Sequence, residues 1–255
     1  MTAPDGELTD AQRRALRIEV VIVLSVTFGL SAVTAVLHLI DAALRNLGAQ
    51  TVALHPSLSR FDLIDLGLHL ASIAQLLAWG ALAVYLLWRS GLSPHQIGLG
   101  RLHWRPDLLG GVGLAALVGL PGLALYLAAR ALGVNVSVVP SALDDTWWRI
   151  PVLVGAAFAA GWAEEVIVVG YLLTRLHQLR INPVVALVCS SLLRGAYHLY
   201  QGFGAGLGNV AMGLLFGYVW RRTGRLWPLV IAHGLIDTVA FVGYALLAGH
   251  LGWLR

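Results

Sequence analysis

The stretch WAEEVIVVGYL, residues 162–172, sets Glu164 and Glu165 side by side in a run otherwise fit for a bilayer interior. Four more ionisable side chains fall in the apolar runs that follow: Arg194, His198, His233 and Asp237. A charge at the centre of a membrane helix costs about 2.5–3.5 kcal/mol on insertion scales, so such groups should face the protein interior and satisfy one another. Their spacing supports a shared site. His233 and Asp237, in AHGLIDT, are four apart and lie on one helical face, as do Arg194 and His198 in LRGAYHLY. Adjacent Glu164 and Glu165 diverge by about 100° around a helix, so one can face a cavity while the other reaches sideways. Carboxylates and imidazoles from three helices can position a water between a base and an oxyanion stabiliser. The same set, through Glu164, His198 and His233, can instead hold zinc or another divalent metal. The bland alternative is an ion-pair cluster that locks the bundle. His38 and His69 read as structural, since neither has an acidic partner at helical spacing away from a helix end.

The elements that must carry these groups follow from composition. The 255 residues are 58% hydrophobic and 12% charged, with a mean hydropathy of +0.77, which excludes an ordinary soluble domain and specifies a polytopic, all-α membrane protein. At about 20 apolar residues per crossing, a bundle of about seven transmembrane helices is expected, over 18–40, 62–88, 108–132, 151–174, 183–200, 203–220 and 226–248. This divides the chain into a cytoplasmic N-terminal segment (1–17), a region of three spans (18–150), a core of four spans (151–248) and a tail (249–255). The first apolar run reads as a retained span rather than a cleaved signal. Cys189 alone excludes an internal disulfide and reads as a packed thiol. Asn135-Val136-Ser137 matches a glycosylation sequon, a pattern short enough to arise by chance.

Every basic side chain other than histidine is arginine. Arg13, Arg14 and Arg17 precede the first run, Arg89, Arg101 and Arg105 lie in the second connection, Arg175 and Arg180 in the fourth, and Arg221, Arg222 and Arg225 in the sixth. The remainder, Arg194 apart, fall on the other side, among them Arg255. By the positive-inside rule the N-terminus is cytoplasmic in the cell membrane and the C-terminus outside. Basic residues placed this way orient spans, so nucleic acid is not an expected partner; the bilayer and a peptide or membrane-protein substrate are. Gly204, Gly208, Gly213 and Gly217 should let the sixth span approach a neighbour closely. Pro121 should kink the third span, and the glycines of LYQGFGAGLGN allow a re-entrant path. The connection 89–107 should lie along the membrane surface.

The glutamate pair followed by GYLL, a histidine ending the next run, and AHxxxD on a later one resemble the CPBP intramembrane proteases. That family includes type II CAAX prenyl endopeptidases and bacteriocin-processing or self-immunity proteins, with the pattern EExxxR, FxxxH and HxxxN or HxxxD. The likeness covers roughly 151–240. It implies that Glu164 activates a water for attack on a peptide carbonyl. It also implies that His198, His233 and Asp237 stabilise the oxyanion or hold the water while Glu165 orients the site, through either a glutamate or a metal mechanism. Two positions depart from the pattern: the family's arginine is Val169 and its aromatic is Arg194. Arg194 is therefore expected to take over from the adjacent helix, forking onto Glu165 and leaving Glu164 free as base. The expected function is an intramembrane endopeptidase. The alternatives are a catalytically inactive immunity or scaffold protein using the same cluster for binding, and a proton-coupled transporter, which should show two related halves.

Overall fold

In a computed structural model of the protein, residues 8–247 are described; the expected tail 249–255, with Arg255, lies outside them, as do the first seven residues. The first apolar run forms one continuous rod, α1 (Asp10–Leu24), a π-helical turn (Ser25–Gly29) and α2 (Leu30–Leu44). Then follow α3 (Asp62–Arg89), α4 (Trp104–Ala131) and α5 (Arg149–Glu164). The last of these continues without a break through a π-helical segment (Glu165–Tyr171) into α6 (Leu172–Gln178). The chain ends with α7 (Pro183–Tyr197), α8 (Phe203–Thr223) and α9 (Trp227–Leu247). Two three-residue strands, β1 (Thr51–Ala53) and β2 (Ser137–Val139), pair in parallel at one end.

Among the described residues six rods are long and apolar enough to cross a membrane, so this is an all-α, multi-pass membrane protein. The fifth apolar run differs from expectation. α7 has 15 residues, roughly 22 Å at 1.5 Å per residue, short of a hydrocarbon core of about 30 Å. A single 3₁₀ turn (Leu199–Gln201) and Gly202 complete the passage, and Gly202 bridges to Asn135 beyond the end of α4. The glycine-rich stretch is thus no re-entrant loop; it opens α8. Gly202 takes φ +113°, and a Cβ there would meet Asn135 at 2.5 Å. Asn135 itself is buried and accepts from the Gly204 amide at 2.8 Å, so the sequon residue is a helix cap.

The arginine-rich connections gather on one face. Arg175 reaches Ser90 and Glu19, Arg225 reaches Asp107, and Arg221 reaches the Pro183 carbonyl. The connection 90–103 packs beneath the bundle, with Leu92, Ile97 and Leu99 buried. Cys189, expected to be packed, is exposed on the outer side of α7.

Burial is uneven in a way that matters. Of the most apolar stretch in Arg149–Gln178, 72% is buried inside the protein, against 6% in Trp104–Ala131. The rod carrying the two glutamates is therefore the centre of the bundle, and its carboxylates meet protein rather than lipid. Small residues allow this. A Cβ at Gly161 would touch the α9 backbone at Val230 and Gly234, each at 3.0 Å, and one at Gly213 would touch Ser191 Cα at 3.0 Å. The glycines of α8 expected to permit close approach include one against α7, at Gly213, and one against α4, at Gly204 beside Ala129.

Candidate functional site

Glu164 closes α5 and Glu165 opens the π-helical segment, so the pair sits where the helix changes its winding. A π segment widens the helix locally and often marks a functional site. Nearby hydroxyls bond carbonyls of this segment: Ser190 Oγ donates to the Val168 carbonyl and Thr174 Oγ1 to that of Gly170, both at 2.6 Å. Val169, where the resembled family has arginine, is buried within this segment.

The two carboxylates are treated differently. Glu165 is wholly buried, and its Oε1 accepts from Arg194 Nη2 at 2.6 Å and from His233 Nδ1 at 2.7 Å. Glu164, 8% exposed, accepts from the Tyr197 hydroxyl at 2.7 Å through Oε2. The expected Arg194–Glu165 pair is present, though as a single N–H contact rather than a fork. Glu164 is not wholly free, since Tyr197 holds one of its oxygens.

The histidines complete the cluster. His233 lies between two carboxylates, with Nε2 at 3.5 Å from Asp237 Oδ2. His198 caps the end of α7 and donates from Nδ1 to the Arg194 carbonyl at 3.0 Å, within electrostatic reach of Glu164 and His233. A straight full-length span would carry His198 toward the outer surface, away from His233. The short α7 ends early instead and leaves His198 next to Tyr197, whose ring centroid lies 4.7 Å from its own. Glu164, Glu165, Arg194, His198, His233 and Asp237 are thus all brought to one place by α5, α7 and α9.

Tyr197 carries no motif and was missed by sequence reasoning; its only signal is position, one residue before His198. The N-terminal rod also contributes. Its π turn presents Phe28, which stacks on Tyr197 at 4.8 Å and meets Trp79 edge-on at 5.7 Å. In that turn the Thr27 hydroxyl donates to the Val23 carbonyl at 2.8 Å. A region without readable chemistry therefore supports the ring whose hydroxyl touches Glu164.

Among the described residues, no three of His, Cys, Asp or Glu are placed together to hold a metal ion. Of the expected donors, His233 has both nitrogens against carboxylates, whereas His198 keeps Nε2 and Glu164 one oxygen outside any hydrogen bond. Three polar atoms are left over. Glu165 Oε2, Arg194 Nε and Arg194 Nη1 are buried without a hydrogen-bond partner among the described residues.

Residues 146–239 match the family model for type II CAAX prenyl endopeptidase Rce1-like proteins. Over that stretch, rather more than a third of the chain, the sequence is similar to the Rce1-like family. The match spans α5 to most of α9 and so contains every member of the cluster, in agreement with the CPBP resemblance of the sequence. Comparison with curated proteins and with solved structures returned no match. The family it resembles there is one of CAAX-type prenyl endopeptidases.

Proposed function

We propose that this chain hydrolyses a peptide bond within the membrane, with Glu164 as the base. The observation that carries the reading is the division of labour between the adjacent glutamates. Glu165 is spent through Oε1 on Arg194 and His233 and its Oε2 is sealed in the interior, while Glu164 keeps an unbonded oxygen together with a slight opening to its surroundings. In the proposed reaction Glu164 takes a proton from water as the water oxygen bonds to the peptide carbonyl carbon. The carbonyl π pair moves onto oxygen, while His198, its Nδ1 proton committed to the Arg194 carbonyl, accepts from the attacking water at Nε2 and holds it in place. Collapse breaks the C–N bond, and the proton on Glu164 passes to the leaving amine. His233 and Asp237 position Glu165 and keep Arg194 neutralised. Unpaired donors on Arg194 beside a carboxylate suit a hydrated pocket, since buried water makes about three hydrogen bonds to such groups. A substrate with a prenylated C-terminus, as the family description names, is the first class to try.

The test is cleavage of peptides in micelles, prenylated C-terminal peptides included, with new termini read by mass spectrometry. Glu164→Gln keeps shape and removes the base, so turnover should fall by about 10²–10⁴ with the unfolding temperature unchanged. Turnover within twofold of wild type would remove Glu164 from the reaction. An inactive scaffold using the same cluster would instead show no cleavage in either form and keep its biological effect in Glu164→Gln. Dialysis against a chelator separates the two schemes: turnover stays if the glutamate acts alone, and is lost and restored by added zinc if a metal takes part.

A further inference from the structure

On the arginine-rich face, far in sequence from the glutamates, a cavity of about 320 Å³ opens between the α3–α4 connection and the α8–α9 turn. Its polar side chains are those of His95, Arg101, His103, Thr223 and Arg225. The floor is backbone that glycine alone can form. Gly98 has φ +89°, and a Cβ there would meet the Gly224 carbonyl and the Leu226 amide at 2.7 Å; Gly224 itself is left-handed at φ +64°. The two segments are stitched together. The Leu226 amide donates to the Gly98 carbonyl, the Trp227 indole to that of Gly100 and the Trp220 indole to that of Ile97, at 2.9, 2.9 and 3.0 Å. Such a site is held open before any ligand arrives.

Of its two arginines, Arg101 has no counter-charge among the described residues. The acid nearest the cavity, Asp107, is buried and already gripped by Arg225, whose Nε and Nη2 donate to its two oxygens at 2.6 and 2.5 Å. Arg101 is exposed and makes no side-chain hydrogen bond or ion pair among the described residues. The mouth lies at the edge of the apolar band. Leu102, Trp104 and Leu109 beside it are 47%, 64% and 71% exposed, and Arg105 sits over the Trp104 ring at 4.7 Å. Exposed tryptophan and arginine at a helix end mark headgroup depth in a bilayer.

We propose that this cavity binds a phosphate group, delivered by the headgroup of an anionic membrane lipid, with Arg101 as the principal contact and His95 and His103 completing the cradle. An occupied cradle ties the α8–α9 turn, and with it the start of the helix bearing His233, to the membrane surface. The site stands independently of the protease reading.

For the test, the full chain in detergent is titrated with phosphatidylglycerol, with phosphatidylcholine of the same acyl chains, and with inorganic phosphate, and bound species are resolved by native mass spectrometry. Phosphatidylglycerol should be retained in preference to phosphatidylcholine and released as salt rises. Arg101→Gln should weaken that retention about fivefold, the factor equivalent to roughly 1 kcal/mol for one arginine at an anionic surface. Arg60→Gln, at the other end of the bundle, should change nothing. Arg101 is exposed and unpaired, so its loss leaves the fold intact, unlike that of Arg225, which would strand Asp107. Equal retention of the two lipids would overturn the proposal, as would equal behaviour of the Arg101 and Arg60 variants. Inorganic phosphate binding as tightly as phosphatidylglycerol would assign the cavity to a soluble anion and remove the lipid.

Discussion

Among the described residues two arginines are buried, and their surroundings could hardly differ more. Arg175, in α6, has every branch engaged: Nε donates to Glu19 Oε1 at 3.0 Å, Nη1 to Ser90 and Gln178, and Nη2 to the Leu86 carbonyl. The same Glu19 oxygen accepts from the Tyr171 hydroxyl at 2.9 Å. Arg194, in α7, uses one N–H on Glu165 and leaves Nε and Nη1 without partners among the described residues. Buried polar groups are almost always satisfied, and a network satisfied throughout fixes one structure. The Arg175 network joins α1, α3 and α6 in that manner and carries no chemistry. The Arg194 cluster is incomplete by the same standard, with Glu165 Oε2 also unpaired and Glu164 beside it slightly open. Satisfaction separates the staple from the site better than residue type does.

Breaking the staple should have the largest effect on stability. Glu19→Ala removes the carboxylate and leaves the Arg175 guanidinium buried without its counter-charge, a loss that costs about 3–5 kcal/mol where it has been measured. Unfolding in detergent should register that loss, while turnover per folded molecule stays near wild type. The incomplete cluster should respond in the opposite way. Replacing Arg194 and Glu165 together by methionine removes a fully buried ion pair and its unpaired atoms, so stability should hold or rise by about 1–3 kcal/mol while turnover is lost. If the double variant unfolds as readily as Glu19→Ala, the two arginines serve alike and the contrast between them is void.

How far these roles could be read from the sequence follows from what each depends on. The helices were legible because apolar runs near bilayer length have few other structures open to them. The meeting of Glu164, Glu165, Arg194, His198, His233 and Asp237 was legible because charges in such runs must find one another. The Val169 and Arg194 exchange pointed to the contact that Arg194 makes with Glu165. The π-helical segments were not legible, since they rest on hydroxyls from other turns and helices, such as Ser190 on the Val168 carbonyl. Tyr197 and Phe28 were hidden for the same reason: an aromatic in an apolar run gives no sign of what its ring or hydroxyl touches. The exposure of Cys189 depends on which face of α7 packs, which a short apolar helix does not advertise.

A smaller change sharpens the account of Glu164. Tyr197→Phe keeps the ring against Phe28 and removes only the hydroxyl on the carboxylate. One such hydrogen bond contributes about 0.5–1.5 kcal/mol to stability, so the fold should survive. If Tyr197 positions the base, kcat should drop about tenfold with KM little changed, the pattern of a group that acts on the reacting carboxylate and not on binding. A rise in KM alone would make Tyr197 part of the substrate path instead.

The smallest expected effect lies at the opposite end of α9 and concerns acid. His55, in the loop after β1, packs edge-on against Phe241 at 4.5 Å and lies 6.4 Å from the His69 ring. Burial, then the neighbouring His69, push its pKa down from 6.5 to about 4, against an opposing pull from Asp237. His69 in turn faces Asp65, 3.8 Å away, so Asp237 and Asp65 are the acids of this corner. The sign follows from proton counting. Between the unfolded value of 6.5 and the folded value of about 4 the unfolded chain binds more protons, so stability is full above 6.5 and declines as pH falls through that window. The unfolding temperature should drop by a few degrees between about pH 7 and pH 5. His55→Gln, which cannot charge, should flatten that slope, whereas Glu164→Gln should leave it as it is. An unchanged slope in His55→Gln would move the acid sensitivity to another group and leave this end of α9 as plain packing.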